Sequence, residues 1–408
     1  MSAEIQENRH EQQMPTWTAT TTNPFGVLTF YNNLAGILEE KKLLESLKSE
    51  NFDVGICELF DFTGIPVFEA IGLKNIVGAH TTSCLMEGTA YAIGAPVIPS
   101  YMPARAAEIA MVEKLGDSAT PIWDTVSNMS WILTNTEPLL EFAKPTLHKV
   151  IDIGGIGVAK PKPLDEKWHK ILSLREHTIL ISFGSVAASI YMPYEMKVAI
   201  VDVVKSYPDV TFIWKYEEPG DSFAAGVENL FLSKWTPQVD LLADDRLTLF
   251  ITHGGAGSMM ESATGGKPLI VVPLFGDQTR NAKLIAKFGF GIMLHKSSLL
   301  DRSALRDAIG RALKDERYRK AAHRIRDLLA RRPFTPEQKL VKTIEMAAEF
   351  GEIEELRVAG RKLGFIVYYN IDLILTFFIF VVLLVWIVLY NVKRICILRS
   401  LKPKVKEQ

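Results

Sequence analysis

The apolar positions fall into two separate α/β patterns followed by one long apolar run. Val27, Phe30, Leu34, Ile37, Leu38, Leu43, Leu44 and Leu47 recur near helical spacing and predict a helix over 26–50. Two short apolar runs come next, Asp53–Cys57 (DVGIC) and Lys74–Ala79 (KNIVGA), with a helical stretch between them. That order is β-α-β texture and calls for a parallel sheet. Residues 80–130 are irregular and rich in Gly, Pro, Tyr and Met, the texture of loops and short helices over a sheet. Residues 151–168 combine Gly, Pro and Lys and read as an interdomain connection. The second pattern begins at Thr178. Strands are expected at 178–183, 210–215, 230–233, 247–252 and 268–272, with helices near 193–206, 237–243, 256–265 and 279–288. This is the order of a doubly wound domain. Residues 299–350 read as helical and charged, with no strand.

The last apolar run, Leu373–Tyr390, holds 18 residues without a charge. That is just long enough to cross a hydrocarbon core of about 30 Å. Tyr368, Tyr369, Trp386 and Tyr390 mark its borders, and Lys393, Arg394, Arg399, Lys402, Lys404 and Lys406 follow. By the positive-inside rule the tail 391–408 is cytoplasmic and the bulk of the chain lies across the membrane. Residues 1–24 contain no apolar signal-peptide core, so the two ends disagree.

Composition narrows the classes. The chain has 408 residues, 48% hydrophobic and 23% charged, which supports two or three packed domains and excludes a disordered chain. A formal net charge of -1 offers no field to hold nucleic acid. Cys57, Cys84 and Cys396 are too far apart for a disulfide scaffold or a CxxC zinc site.

Among glycine-rich segments, 154–158 (GGIGV) lacks the third Gly of a dinucleotide fingerprint and reads as a linker turn. Residues 252–258 (THGGAGS) follow an apolar strand and open a helix. Small residues there bring backbone N–H groups and a helix N-terminus to an anion. The spacing is not that of a nicotinamide site, and Pro268 after Gly265-Gly266-Lys267 breaks a Walker pattern. A nicotinamide oxidoreductase is thus a weak reading.

Residues 231–282 run FLSKWTPQVDLLADDRLTLFITHGGAGSMMESATGGKPLIVVPLFGDQTRNA. The order W-x-P-Q, then H-G-G, then a helix with Glu, then P-L-F-x-D-Q resembles the nucleotide-sugar signature of the UDP-glycosyltransferases. Within them it is most similar to nematode-type UDP-glucuronosyltransferases. SFGS at 182–185, FDVGICELFD at 52–61 and the C-terminal apolar run extend the resemblance over nearly the whole chain.

The resemblance implies an α/β fold of two Rossmann-like domains in the GT-B arrangement plus one C-terminal transmembrane helix. The expected divisions are an incomplete acceptor-binding domain over 1–150, a linker over 151–177, a UDP-sugar domain over 178–362, a membrane helix over 366–390 and a basic tail. It implies that Trp235 stacks on uracil and that Gln238 reaches the base or ribose. His253, Gly255, Gly257, Ser258 and Ser185 would hold the diphosphate. Glu261 would accept from the ribose, and Asp277 and Gln278 would bond the donor sugar. Many vertebrate members carry Asn where this chain has Gly257-Ser258, which leaves a backbone contact there.

The implied reaction inverts the anomeric carbon as UDP leaves and needs no metal or other cofactor; the UDP-sugar is a co-substrate. The donor is UDP-glucuronate, with UDP-glucose as the alternative, and the acceptor is a small lipophilic hydroxyl compound. Glu58 stands where the family has the carboxylate that orients a general-base histidine. The histidine itself has no counterpart, since His10 sits in a polar segment with no strand before it. An N-terminally truncated chain accounts for both this gap and the missing signal peptide. A second reading follows from it: a catalytically silent protein that binds UDP-sugar and modulates full-length partners by oligomerisation. Lys404 and Lys406 fit a K-x-K-x-x endoplasmic-reticulum retrieval pattern, and Asn128 begins an N-x-S sequon. Together they imply a single-pass membrane protein with lumenal domains, if a signal peptide is supplied.

Overall fold

The computed structural model describes residues 17, 34–60, 62–82, 86–93, 105–358 and 364–400. Up to Leu356 the chain forms one compact unit that carries two parallel sheets.

The first sheet has four strands in sequential order: β1 (Gly55–Glu58), β2 (Ile76–His80), β3 (Ile132–Thr134) and β4 (Val150–Asp152). All are parallel, with Glu58 opposite Ala79, His80 opposite Thr134 and Thr134 opposite Asp152. The expected helix over 26–50 is described only from residue 34; it contains Lys41–Ser49 and buries Leu34 and Leu38. The described part of 80–130 holds three short helices, Glu87–Ala92, Arg105–Leu115 and Ile122–Asn128. In the second of these, apolar and charged residues are spread around the axis, so no stripe shows in the sequence. β3 and β4 escaped the pattern because three residues are too few to establish a period.

The second sheet contains β5 (His177–Ser182), β6 (Val210–Lys215), β7 (Leu230–Ser233), β8 (Leu247–Thr252), β9 (Leu269–Val271) and β10 (Gly291–Met293). Its order is β7-β6-β5-β8-β9-β10, every pair parallel. The first five strands stand where the apolar runs predicted them, and the helices Tyr194–Lys205, Gln238–Ala243, Ala256–Gly265 and Gln278–Lys287 match the intervening expectations.

Such strands are nearly all apolar because both faces are covered. Ile179, Ile181, Leu249 and Ile251 join one core with Ile200, Val203, Leu305 and Ile309 of two covering helices. Leu180 and Phe250 join the other with Met259, Met260, Ile325 and Leu329. The strand order reverses between β5 and β8, and the crevice at that switch point is where open α/β sheets bind ligands.

The boundaries differ from the sequence expectation in two places. The segment 151–177 begins inside β4 and contains the helix Glu166–Leu172, whose first turn is capped by Asp165 accepting from Trp168 N at 3.0 Å. The helix Pro336–Phe350, assigned by chain order to the second domain, returns to the first sheet. Its Ala347 is fully buried with Val77, Leu133 and Ile153. Asn75 Nδ2 donates to Ala347 O at 2.8 Å and to Asp53 O at 2.7 Å, and Lys339 Nζ donates to Asp152 O at 3.1 Å. Ser130, the sequon serine, is buried and accepts from Ile353 N at 2.6 Å.

Residues from 357 onward form a second unit. Its helix Ile371–Ser400 includes the 25-residue stretch Ile371–Ile395, whose most apolar 18 residues have a mean hydropathy of 3.0, long and apolar enough to cross a membrane. The tail from 401 lies outside the described residues.

Candidate active site

A cavity of about 730 Å³ opens at the switch point between β5 and β8. Gly184 and Ser185 come from the turn after β5, Lys215 from the end of β6, and Trp235 to Asp240 from the turn after β7. His253, Gly255, Gly257 and Ser258 come from the turn after β8 and the helix it opens, and Ala159, Lys160 and Lys162 from the connection between the sheets.

Trp235 is 70% exposed and lies on the wall, a flat apolar face given to solvent rather than to the core. The backbone behind it is fixed, since Ser233 Oγ donates to Trp235 O at 2.7 Å. Gln238 begins a helix, and its Nε2 donates to Glu261 Oε2 at 2.6 Å and to Ser258 Oγ at 3.3 Å. Burial raises the Glu261 carboxyl above the usual carboxylate range, and the Gln238 bond works in the opposite direction.

His253 ends the β8 strand-to-helix approach. Its ring is enclosed by two glycines: a Cβ at Gly184 would stand 2.7 Å from Cε1, and one at Gly255 would stand 2.6 Å from Nε2. Gly184 also has φ +84, a conformation glycine adopts without strain. Burial lowers the His253 pKa to about 4, the Lys215 charge acts in the same direction and Asp277 opposes it. The ring is therefore neutral at pH 7, with Nδ1 3.2 Å from Thr252 Oγ1. Gly255 is the N-cap of the helix Ala256–Gly265, so the first amides of that helix face the cavity without a side-chain cap.

Asp277 and Gln278 stand beside the cavity rather than on its wall. Gln278 is buried, and its Oε1 accepts from Leu274 N at 2.8 Å and Phe275 N at 3.1 Å, which braces the turn carrying Asp277. Asn281 was not singled out in the sequence. It is fully buried and donates from Nδ2 to Gly254 O at 2.9 Å and to Asp277 Oδ2 at 3.0 Å, tying the glycine turn to the Asp-Gln turn. Lys215 was also missed; its only signal was a cation ending an apolar strand.

Glu58 ends β1 on the other sheet. Its oxygens accept from Phe60 N at 3.1 Å and Thr81 N at 3.1 Å. Ion pairs join the loop after β3 to the second sheet's helical side: Arg332 Nη1 to Glu137 Oε2 at 2.9 Å, and Arg280 with Glu141. His10 lies outside the described residues. No group of three or more His, Cys, Asp or Glu fit for a metal occurs among the described residues.

The fold and sequence have relatives. Solved structures with a similar fold include the glycosyltransferase of kitacinnamycin, TM-score 0.59 at 17% identity over 80% of this chain and 84% of that one. Spinosyn rhamnosyltransferase SpnG, solved with thymidine diphosphate, gives a TM-score of 0.54 at 17% identity over 84% and 82%. The human UDP-glucuronosyltransferase 1A7 is 28% identical over 88% of this chain and 74% of its own length. The Caenorhabditis elegans protein ugt-48 is 28% identical over 90% and 77%. The family model for UDP-glucoronosyl and UDP-glucosyl transferase matches residues 107–407, which take in both the cavity and the C-terminal helix. This chain belongs to that UDP-glycosyltransferase family, a transferase of the glucuronosyltransferase type on a GT-B fold.

Proposed function

We propose that the chain transfers glucuronate from UDP-glucuronate to a hydroxyl of a small lipophilic acceptor, with inversion at the anomeric carbon and UDP as leaving group. The observation that carries this reading is the convergence, on one cavity at the switch point, of an exposed Trp235, the Gln238–Glu261 pair and a neutral His253 over an uncapped helix N-terminus. Each supplies one part of a UDP-sugar's chemistry. The indole offers a face to a uracil ring. Glu261, half-buried on the cavity wall and held by Gln238, is an acceptor for ribose hydroxyls. The amides after Gly255 and the imidazole donate to phosphate oxygens that gain charge as the glycosidic bond breaks. Asp277 is anchored by Asn281 to receive sugar hydroxyls. Glu58, held by two backbone amides, is the carboxylate that would orient a base and stabilise its cationic form.

The helix Ile371–Ser400 would anchor the protein as a single-pass species, with the sheets on the lumenal side of the endoplasmic reticulum. Membranes carrying this chain, offered labelled UDP-glucuronate or UDP-glucose with a panel of phenols, test the reading. Glucuronide formation that is lost in Trp235→Ala supports it. Glucose conjugates alone would reassign the donor, and UDP binding without any conjugate would favour a silent donor-binding protein.

A further inference from the structure

We propose that the first sheet carries a second small-molecule site, a cavity that takes a neutral phenol or alcohol and is linked to the helix behind Asp277. The cavity has a volume of about 260 Å³ and lies between β3, β4, the segment that joins them and Ala90. The helix Pro336–Phe350 covers the other face of this sheet, over Leu133 and Ile151, so by strand alternation Thr134, Val150 and Asp152 point into the cavity. Among the described residues its walls share none with the donor cavity and do not include Glu58. A hydroxyl held here is therefore not the one presented for transfer.

The polar groups set the ligand's chemistry. Glu141 is buried; its Oε1 accepts from Phe142 N at 2.6 Å and pairs with Arg280, while its enclosed Oε2 has no hydrogen-bond partner. Lys144 Nζ stands 3.7 Å from that oxygen, beyond hydrogen-bond reach. A buried acceptor without a partner is costly, so Oε2 calls for a donor. Asp152 Oδ1 accepts from Thr134 Oγ1 at 2.6 Å, and burial raises its carboxyl above the usual range. With Arg280, Lys144 and Lys339 already facing these two carboxylates, an ammonium ligand would add charge where charge is resisted. An O–H donor on a small apolar body fits instead. Pro138, Leu147 and Val150 supply apolar wall, and the volume is that of a fragment.

The same segment grips both ends of the helix Gln278–Lys287, whose N-cap is Asp277. Arg280 in its first turn pairs with the Glu141 carboxylate, and Lys287, its last residue, donates to Glu141 O at 3.4 Å. A ligand bonded to Glu141 Oε2 thus loads the helix behind Asp277. That this turn meets a donor sugar rests on the donor reading above.

The full chain in nanodiscs is titrated with 4-ethylphenol, with its ether analogue 4-ethylanisole and with the cation 4-methylbenzylamine, against empty nanodiscs. The phenol is expected to bind with a dissociation constant on the order of 1 mM. The ether, which has no donor, should bind about 10- to 100-fold more weakly, the range of a lost hydrogen bond to a charged group, and so should the amine. Val150→Phe and Ala90→Leu fill the cavity and should each weaken the phenol at least about tenfold by excluding it. Bound phenol should slow hydrogen exchange in the first turn of Gln278–Lys287 and change UDP-glucuronate affinity about fivefold, effects absent in the filled variants. If those variants melt early, Val150→Ala, which enlarges the cavity, should favour 4-butylphenol over 4-ethylphenol relative to wild type. Equal phenol affinity in wild type and a well-folded filled variant would overturn the site, as would an unchanged butyl-to-ethyl ratio in Val150→Ala. Ether or amine binding as tight as the phenol would overturn the ligand class, and unaltered exchange in that turn would overturn the link. Each of these failures leaves UDP binding, and the donor reading, untouched. A chain that passes them yet binds no UDP-glucuronate would remove the donor reading and leave this site standing.

Discussion

Gln238 Nε2 sits 2.6 Å from Glu261 Oε2, although the two residues lie on different helices and 23 positions apart. The bond joins the turn after β7 to the helix after β8, so the uracil and phosphate ends of the proposed donor site are set by one contact. Gln238 begins its helix at N1 and Glu261 lies in the second turn of its own. Burial raises the carboxyl's pKa, and the Gln238 amide opposes that rise.

The first prediction concerns that carboxylate. Burial holds its pKa above the usual value of 4.5, so it takes a proton earlier than an exposed glutamate as pH falls. UDP affinity should decline as the solution is acidified from neutrality toward that range, because a protonated Glu261 is a poorer acceptor for ribose. Glu261→Gln should bind UDP about tenfold more weakly at neutral pH, the scale of one charged hydrogen bond, and lose this acid dependence. Calorimetric titrations of both proteins at several pH values measure it.

Trp235 presents the reverse of a core residue, and its removal should separate binding from stability. With 70% of its surface already in solvent, Trp235→Ala forfeits little burial. Stacking on a base is worth about 1–3 kcal/mol. Thermal melting should be nearly unchanged while the dissociation constant for UDP rises about 10- to 100-fold. A melting temperature that dropped sharply would mean the indole is packed in the folded chain.

The strands of the second sheet were legible because both faces are buried and the apolar runs reach four to six residues. The same holds for the site: Trp235, Gln238, His253, Gly255, Gly257, Ser258 and Glu261 come from one contiguous stretch, and the structure gathers them on one cavity. What the sequence hid depends on distance along the chain. Asn75 and Ala347 are joined by a hydrogen bond across 272 positions, and no local period announces that a helix from the end of the unit returns to the first sheet. Lys215 and Gly184 meet because β5 and β6 are neighbours, a fact of strand order. Gln278 was expected as a ligand contact, and its oxygen is engaged by the loop it follows, a partner the sequence did not announce. Backbone partners of a side chain cannot be read from its type.

The glycines around His253 give a paired prediction. Gly184→Ala places a methyl 2.7 Å from the imidazole and forces a residue with a Cβ to φ +84. The strain alone costs about 1–3 kcal/mol. Both melting temperature and UDP affinity should fall. A Cβ at Gly257 meets nothing within 4 Å, and that residue lines the cavity. Gly257→Ala should melt at or slightly above the wild-type temperature, since alanine favours the helix, yet bind UDP less well as the methyl enters the donor's space. If both variants lose stability alike, the glycines serve packing and not the ligand.

His80 supplies a stability test that does not involve the donor. It ends β2 with 3% exposure, its Nε2 is 3.0 Å from Thr89 Oγ1, and its buried Nδ1 has no hydrogen-bond partner. Burial lowers its pKa from 6.5 to about 4. The unfolded chain thus takes up a proton near pH 6.5 that the folded chain refuses until about pH 4. The linkage has one sign: the stability is fully present above about pH 6.5 and is lost as pH falls toward 4. For one such group the loss reaches about 3 kcal/mol at the folded pKa. His253, shifted in the same direction for the same first cause, adds to it. Denaturant titrations between pH 7 and pH 4 should show the folded state weakening across this window. His80→Gln keeps a hydrogen-bond partner for Thr89 and cannot titrate, so its curve should be flatter by the His80 share. A variant curve parallel to the wild type would show that the ring is already reached by water in the folded chain, because only a hydrated imidazole titrates alike in both states.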